Sequence, residues 1–364
     1  MSGPLVTIGV PVYQGQDELP VTLECIRTQS YSNLDVLISV DAGDQQSARA
    51  CEPFLRRDPR FRMHIQSSRL GWAGNTDWTM RERRGDFYIY QQHDDQVSPT
   101  YVADLVEAAT RSPNAVVCFA KLQCSGLLSV TQYGLPFSGS SIERILAYLE
   151  SMDCVPFRGL IRGSALAGTS GLLLSDFDPF DSYGTENRLM AELALQGEFQ
   201  FVPGPTYYKR MHGANLHLKR ENWSERQKLL AWACLAAWMM EVVAPAGRSP
   251  DERRRLFEAV LNRFLVAKKN PWRWLIPPAR QLALSQAKAL HPVRVLLHRL
   301  KRSSPLASSV AGRWMLCETN DPEIRAALLR MIFDRLESAG RFDPAACLQS
   351  TWERLEVEGR RFVG

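Results

Sequence analysis

"VTIGVPVYQGQDELPVTLECIRTQSYSNLDVLISVDAGD", Val6 to Asp44, carries the reading of the fold. Residues 5–13 and 34–40 are near-continuous apolar runs, as in strands buried on both faces. Residues 17–29 between them have helical spacing. The alternation continues. Residues 45–56, 73–84 and 99–111 read as helices, and 62–67, 86–92 and 115–122 as strands. This predicts an α/β fold, with a mostly parallel sheet flanked by helices on both faces. Such sheets bind ligands beyond the carboxyl ends of their strands.

Beyond residue 122 the pattern loosens. Residues 159–174 are rich in Gly and Ser and then apolar. "YGTENRLMAELALQG" (183–197) is a punctuated helix, and "FQFVPGPTYYKRMHG" (199–213) reads as two short extended segments around Pro-Gly-Pro. From about 222 the chain reads as helical, which predicts two domains, 1–220 and 221–364. With 364 residues and 45% hydrophobic content, the chain can build a sizeable core. Its eight cysteines include no CxxC pair, which argues against a zinc site or a disulfide framework and for a reduced setting. No basic leader precedes an apolar core at the N-terminus, so no signal peptide is expected. The apolar stretch 229–246 contains Glu241 and reads as a buried helix rather than a membrane span.

Charge is uneven. Residues 259–317 hold eleven Lys/Arg and no Asp or Glu; taking those eleven from 44 leaves 33 against 39 acids elsewhere. "HPVRVLLHRLKR" (291–302) is a basic amphipathic helix by spacing, and Trp272 and Trp274 precede it. That composition suits an anionic membrane surface, or else an ordinary packed helix with a solvated basic face. No aromatic-studded basic strand pattern appears, so no nucleic-acid partner is expected.

Chemistry concentrates at strand ends. The second strand ends in Asp41 and Asp44, and the fourth in Asp94 and Asp95. An acidic rim without counter-charge is costly, and a hard cation such as Mg²⁺ or Mn²⁺ relieves it. The plain alternative is that these acids cap helices and make turns. Neither GxGxxG nor GxxxxGK[ST] occurs, which argues against a dinucleotide site or a Walker-type site.

In order and spacing, these pieces resemble family-2 glycosyltransferases with the GT-A nucleotide-diphospho-sugar fold, over roughly residues 5–215. Val6 to Asp44 resembles the family's opening, with Gln14 where Asn is usual. "SSRLGWAGNTDW" resembles the segment before the helix under the sugar nucleotide. "QQHDDQV" stands where the family has Asp-x-Asp-Asp, with Gln92 replacing the first acid and Asp94 as the metal-side acid. The resemblance implies nucleotide-sugar contacts from Pro11, Tyr13, Asp41, Arg69, Gly71, Asn75 and Asp94, and a Mn²⁺ or Mg²⁺ ion held by Asp94 and His212. Lys209 or Arg210 would meet phosphate, and His93 would stand behind the metal acid. Trp72 and Trp78 would stack on base or sugar, or else sit in the core.

In "GTENRLMAELALQG" the ungapped register places Glu186 at the family's catalytic base, and a shifted register would put Asn187 there. Asn cannot accept a proton from a hydroxyl, which favours Glu186. The implied activity is metal-dependent, inverting transfer from a nucleoside-diphosphate sugar to a glycan, lipid-linked or small-molecule acceptor, in polysaccharide or glycoconjugate synthesis. The rival is a degenerate, non-catalytic GT-A binding or scaffold subunit. A nucleotidyltransferase is disfavoured by the absence of a Gly-rich, Arg/Lys-bearing first loop. The expected location is cytoplasmic, peripheral to the inner membrane face where the basic segment engages lipid.

Overall fold

The computed structural model describes residues 3–127, 129–172 and 182–213, with scattered positions between 223 and 263. Most of the basic run 259–317, Trp272, Trp274 and most of the expected helical region 221–364 lie outside the described residues. One compact unit comprises Met1–Asn222 with Val242–Leu256, and a second comprises Trp223–Glu241 with Phe257–Gly364. No helix among the described residues is long and apolar enough to cross a membrane.

The first unit opens as β1 (Val6–Val12), α1 (Leu19–Arg27), β2 (Leu34–Val40), α2 (Gln45–Arg57), β3 (Phe61–Ile65), α3 (Gly71–Arg81) and β4 (Phe87–Tyr90). It continues as β5 (Gln96–Val97), α4 (Tyr101–Arg111), β6 (Ala115–Gly126), β7 (Val130–Gln132) and α5 (Ser141–Ser151). A 3₁₀ turn (Val155–Arg158), β8 (Leu160–Arg162), α6 (Gly163–Ala167), α7 (Thr185–Gln196) and β9 (Glu198–Met211) complete it. All seven residues of β1 and all seven of β2 are buried, which is why both runs are apolar without alternation. α1 buries Leu19, Thr22, Leu23 and Ile26, one face at helical spacing.

The sheet runs β3-β2-β1-β4-β8-β6-β9-β5, with β7 added to β6. The long pairings are parallel: β1 with β2 from Val6↔Leu34 to Val12↔Val40, and β6 with β9. Among the described strands antiparallel pairing involves the short strands β5, β7 and β8, and one isolated antiparallel bridge joins Phe137 to Phe199 on β9. The mixed α/β fold with a mostly parallel sheet is therefore as expected for the first four strands. Residues 159–174 depart from expectation. Three residues of that loose stretch, Leu160–Arg162, form β8, inserted antiparallel between β4 and β6.

Residues 199–213 also differ. They contribute to one strand, β9, rather than two segments. Its register with β6 jumps from Phe119↔Phe201 to Lys121↔Thr206, so Pro-Gly-Pro is looped out as a bulge. Proline cannot donate to the ladder and Gly204 has φ +112°, so the bulge takes the residues a regular strand would reject. α5 was not foreseen, although its start carries a capping box. Ser140 Oγ accepts from Glu143 N–H, and Glu143 Oε2 accepts from Ser140 N–H at 2.8 Å.

Candidate functional site

Parallel strands bring the carboxyl ends of β1, β2 and β4 to one edge. At that edge β1 runs into Tyr13 and a turn at Gln14, whose φ is +54°. Asp44 holds the turn: its Oδ2 accepts from Gln14 N–H at 2.6 Å while Oδ1 accepts from Ser47 N–H at 3.1 Å. Asp44 is thus the N-cap of α2, as the plain alternative had it. Gly15 N–H donates to Ser47 Oγ, and a Cβ on Gly15 would lie 2.5 Å from the His93 ring. His93 packs there with Nδ1 3.4 Å from the Pro11 carbonyl oxygen. Pro11 is buried in β1.

Asp41 is also buried, and caps a different helix. Its Oδ1 accepts from Leu70 N–H at 2.7 Å and its Oδ2 from Gly71 N–H at 2.9 Å, at the start of α3. Gly71 has φ +71°, which favours glycine at this junction. Exposed Arg69 on the same loop lies over the Tyr13 ring, 4.3 Å from its centroid. Asn75 is buried behind this edge. Its Oδ1 accepts from Ser39 Oγ–H at 2.5 Å and its Nδ2 donates to the Ser39 carbonyl at 2.9 Å, clipping α3 to β2. Trp72 Nε1–H donates to Tyr90 Oη, and Trp78 stacks on His64 at 4.4 Å.

The loop after β4 divides its two adjacent acids between different environments. Asp94 Oδ2 lies 2.7 Å from His212 Nε2, a pairing across 118 residues. The Asp94 side chain is only 8% exposed and that of His212 34%, so the imidazole is the open side of the pair. A cleft of about 770 Å³ adjoins them, also lined by Asp17, Glu18, Tyr208 and Arg210. Asp95 turns inward. Its Oδ1 accepts from Arg210 N–H at 2.9 Å, and its Oδ2 is buried without a hydrogen-bond partner. Burial first, and the neighbouring Asp94 charge second, push the Asp95 carboxyl up to about 6.

Along β9, Tyr208 and Arg210 face the cleft, so by alternation Tyr207 and Lys209 face the opposite side of the sheet. On that side stands Arg158, from the 3₁₀ turn. Its Nη2 donates to Gln92 Oε1 at 3.4 Å, its guanidinium carbon lies 5.7 Å from the Tyr207 ring centroid, and its Nε is buried without a partner. Burial disfavours the Arg158 charge, but Tyr207, Asp95 and Tyr90 outweigh it and hold the guanidinium above its ordinary range. Burial and then the Arg158 charge bring Lys209 down to about 8. Sequence reasoning missed Arg158; in "VPFRGLIRG" nothing separates it from Arg162, which lies over Phe87 and bonds backbone carbonyls.

Glu186 lies in the first turn of α7, after Gly184 with φ +78°. Its Oε2 is buried with no hydrogen-bond partner, as is the Thr185 hydroxyl. Asn187, the other candidate in that helix start, is occupied. Its Oδ1 accepts from Tyr148 Oη–H and from the Cys154 thiol, each at 3.1 Å.

The donor set for a metal is small. Among the described residues no group of three or more His, Cys, Asp or Glu is placed to hold an ion. Asp94 and His212 supply one carboxylate and one imidazole. A hard cation commonly takes one or two carboxylates and completes its shell with water and substrate phosphates, so the pair fits as a partial anchor.

Residues 7–167 match the family model described as Glycosyl transferase family 2. Among curated proteins, the chain is 27% identical over 119 residues to "Putative glycosyltransferase EpsH" of Bacillus subtilis (strain 168), covering 32% of this chain and 34% of that protein. It is 26% identical over 100 residues to "Glycosyltransferase GlyA" of Streptococcus pneumoniae, covering 28% of this chain and 14% of that one. The matches thus span about a third or less of these relatives' own length. Among solved structures, S. aureus TarS residues 1–349 superposes with TM-score 0.59 at 12% identity, over 76% of this chain and 77% of that one. The same protein was solved with UDP-GlcNAc, at TM-score 0.56, 13% identity and the same two coverages. The resemblance to family-2 glycosyltransferases therefore holds over residues 7–167, and the fold is the GT-A fold of these neighbours.

Proposed function

We propose that this chain is a glycosyltransferase that moves a sugar from a nucleoside-diphosphate donor to an acceptor hydroxyl. The observation that carries the reading is the pairing of Asp94 with His212, at a strand-end edge of a GT-A sheet. Tyr13 and Arg69 would receive the nucleoside, on a surface shaped by Pro11 and Gly71, with Asp41 acting from behind them by holding the first amides of α3. Asn75 would act through Ser39 by holding α3 in place. Asp94 and His212 would anchor a divalent cation, Mg²⁺ or Mn²⁺. Bound there, it supplies positive charge for the leaving diphosphate. Glu186 takes the proton from the acceptor hydroxyl. The acceptor oxygen bonds the anomeric carbon as the bond to the diphosphate oxygen breaks, and that electron pair leaves with the nucleoside diphosphate. Attack opposite the leaving group inverts the anomeric centre. The domain division near residue 220, a glycan or lipid-linked acceptor, and an anionic membrane surface for residues 259–317 belong to the same proposal.

A non-catalytic binding subunit is the second reading. Gln92, an amide bonded to Arg158, and the small set of metal-ligating residues among those described favour it. A thermal-shift screen of sugar nucleotides with and without Mn²⁺ names the donor, because ligand that binds only the folded state raises Tm. Turnover of that donor with an acceptor panel supports the transferase. Tight donor binding with no transfer or donor hydrolysis leaves the binding subunit.

A further inference from the structure

The helix that carries Glu186 starts without a cap of its own. Gly184, the N-cap residue of α7, has φ +78° and no side chain to accept from the first amides. In the first turn the Thr185 hydroxyl and Glu186 Oε2 have no hydrogen-bond partner. A helix end that no side chain caps frays more readily. A general base on such an end needs something else to hold it still.

Asn187, the third residue of α7, is held from outside the helix. Tyr148 Oη–H on α5 is shared between the Asn187 carbonyl and Oδ1, 3.1 Å from each. The Cys154 thiol donates to the same Oδ1, also at 3.1 Å. These partners lie 39 and 33 residues away in the chain. Tyr148 is fully buried, with its ring edge-on to Phe137, so it is a fixed post. Asn is a poor helix former, and its amide earns this position through those bonds and not through propensity. Cys154 also faces the other way. Its carbonyl accepts from Arg158 Nη1 at 3.5 Å, and Arg158 Nη2 donates to Gln92 Oε1 at 3.4 Å, two residues before Asp94. One short segment is thus tied by its thiol to the helix of the base and by its carbonyl, through two longer bonds, to the strand end of the metal-side acid.

We propose that Asn187, clamped by Tyr148 and Cys154, is a positioning residue that holds Glu186 at the acceptor hydroxyl. This rests on the reading of Glu186 as the base. Asn187 Oδ1 already accepts two bonds, so it acts through the first turn of α7 and not on the substrate. Displacing a catalytic group by about 1 Å can cost about 100-fold in rate, which is why a clamp of uncharged bonds matters here.

The test combines single-turnover transfer, donor binding and amide exchange on the full chain. Asn187→Ala and Tyr148→Phe should each slow transfer about tenfold, with donor affinity within about twofold of wild type. Cys154→Ala should slow it less, and Cys154→Ser, which keeps a donor, should recover most of that loss. Asn187→Ala in a Glu186→Gln background should cost nothing further, because the base it positions is already gone. Tyr148→Phe and Cys154→Ala should also speed exchange of the Asn187 and Arg188 amides, which donate to the Gly184 carbonyl at 2.9 and 3.3 Å. Amides of β1 and β2 should keep their protection, so a variant that merely unfolds is recognised by faster exchange everywhere. Folded variants that transfer like wild type, or an equal loss with and without the Glu186 carboxylate, overturn the proposal. So does an Asn187→Asp variant faster than wild type, which would make residue 187 the base position. Faster α7 exchange in a chain whose Glu186→Gln variant transfers normally, or that makes no transfer, removes the base reading and with it the role in transfer, while the clamp itself stands. Transfer that depends on Glu186 with unchanged α7 exchange keeps the base and removes the clamp.

Discussion

The two halves of the strand-end edge treat their polar groups in opposite ways. At β1, β2 and α3, the buried polar side chains are spent on backbone and neighbours: Asp41 on two amides of α3, Asp44 on Gln14 and Ser47, Asn75 on Ser39. Around β8, α7 and β9, buried polar atoms are left over: Asp95 Oδ2, Arg158 Nε, Thr185 Oγ1 and Glu186 Oε2. Buried polar atoms in folded proteins are nearly always paired, so these leftovers are candidates for contacts that the protein alone does not make. The first half is a finished scaffold whose acids stabilise it. The second holds its chemistry in reserve, at a cost to stability.

The sharpest way to break this contrast is to change one residue of each half and read activity against stability. Glu186→Gln keeps shape but cannot take a proton. Single-turnover transfer should fall about 100- to 10,000-fold with donor affinity nearly unchanged. Normal transfer in this variant would remove Glu186 as the base. Asp94→Asn should weaken nucleoside-diphosphate binding about tenfold or more with Mn²⁺ and far less in EDTA. Equal losses in both conditions would show that no ion acts through Asp94.

Asp41→Asn should behave as a scaffold change. It loses charge-assisted bonds to the start of α3 and should cost about 1–3 kcal/mol in urea unfolding. Glu186→Gln in the same measurement should cost less than about 1 kcal/mol or stabilise, because its buried oxygen is already unpartnered. If Glu186→Gln is the more destabilising of the two, the contrast between the halves fails.

The smallest effect is one of pH. The folded chain holds the Asp95 proton up to about 6, above the ordinary carboxylate value of 3.8. Its contribution to stability is therefore full below about 4 and is lost as pH rises through about 6, on the order of 1–3 kcal/mol. Asp95→Asn should flatten that part of the Tm–pH curve. A wild-type curve flat from pH 4 to 7 would place the Asp95 carboxyl near its ordinary value.

The same division explains what could be read from the residues alone. β1 to β4 are apolar runs alternating with amphipathic helices, and local spacing suffices to find them. Asp41 and Asp94 stand at strand ends, where position alone singles them out. β8 was missed because three residues, Leu-Ile-Arg, give too short a run for any periodicity. Its strand character comes from the two neighbours that pair with it. Arg158 was missed for a related reason. Its setting is made by β4, β9 and the 3₁₀ turn meeting in space, and no spacing along the chain announces that. The Pro-Gly-Pro bulge misled in the other direction, since a local break signal was absorbed by a long-range pairing.

β8 also sets an order of assembly. When a growing chain has made β4, one edge of Phe87–Tyr90 can pair with β1, but the other waits for Leu160–Arg162, about seventy residues later. At about 5–20 residues per second of synthesis, that wait is roughly 4–14 s. For its duration "FYIY", an apolar strand, presents an open edge of the kind that recruits other chains. β6 cannot close it early, because β6 reaches β4 only through β8. A nascent chain halted before Gly159 should therefore aggregate or occupy a chaperone, while one carried past β9 should not. The three-residue strand is the keystone of the sheet, and until it is set the two sides of the molecule fold as strangers.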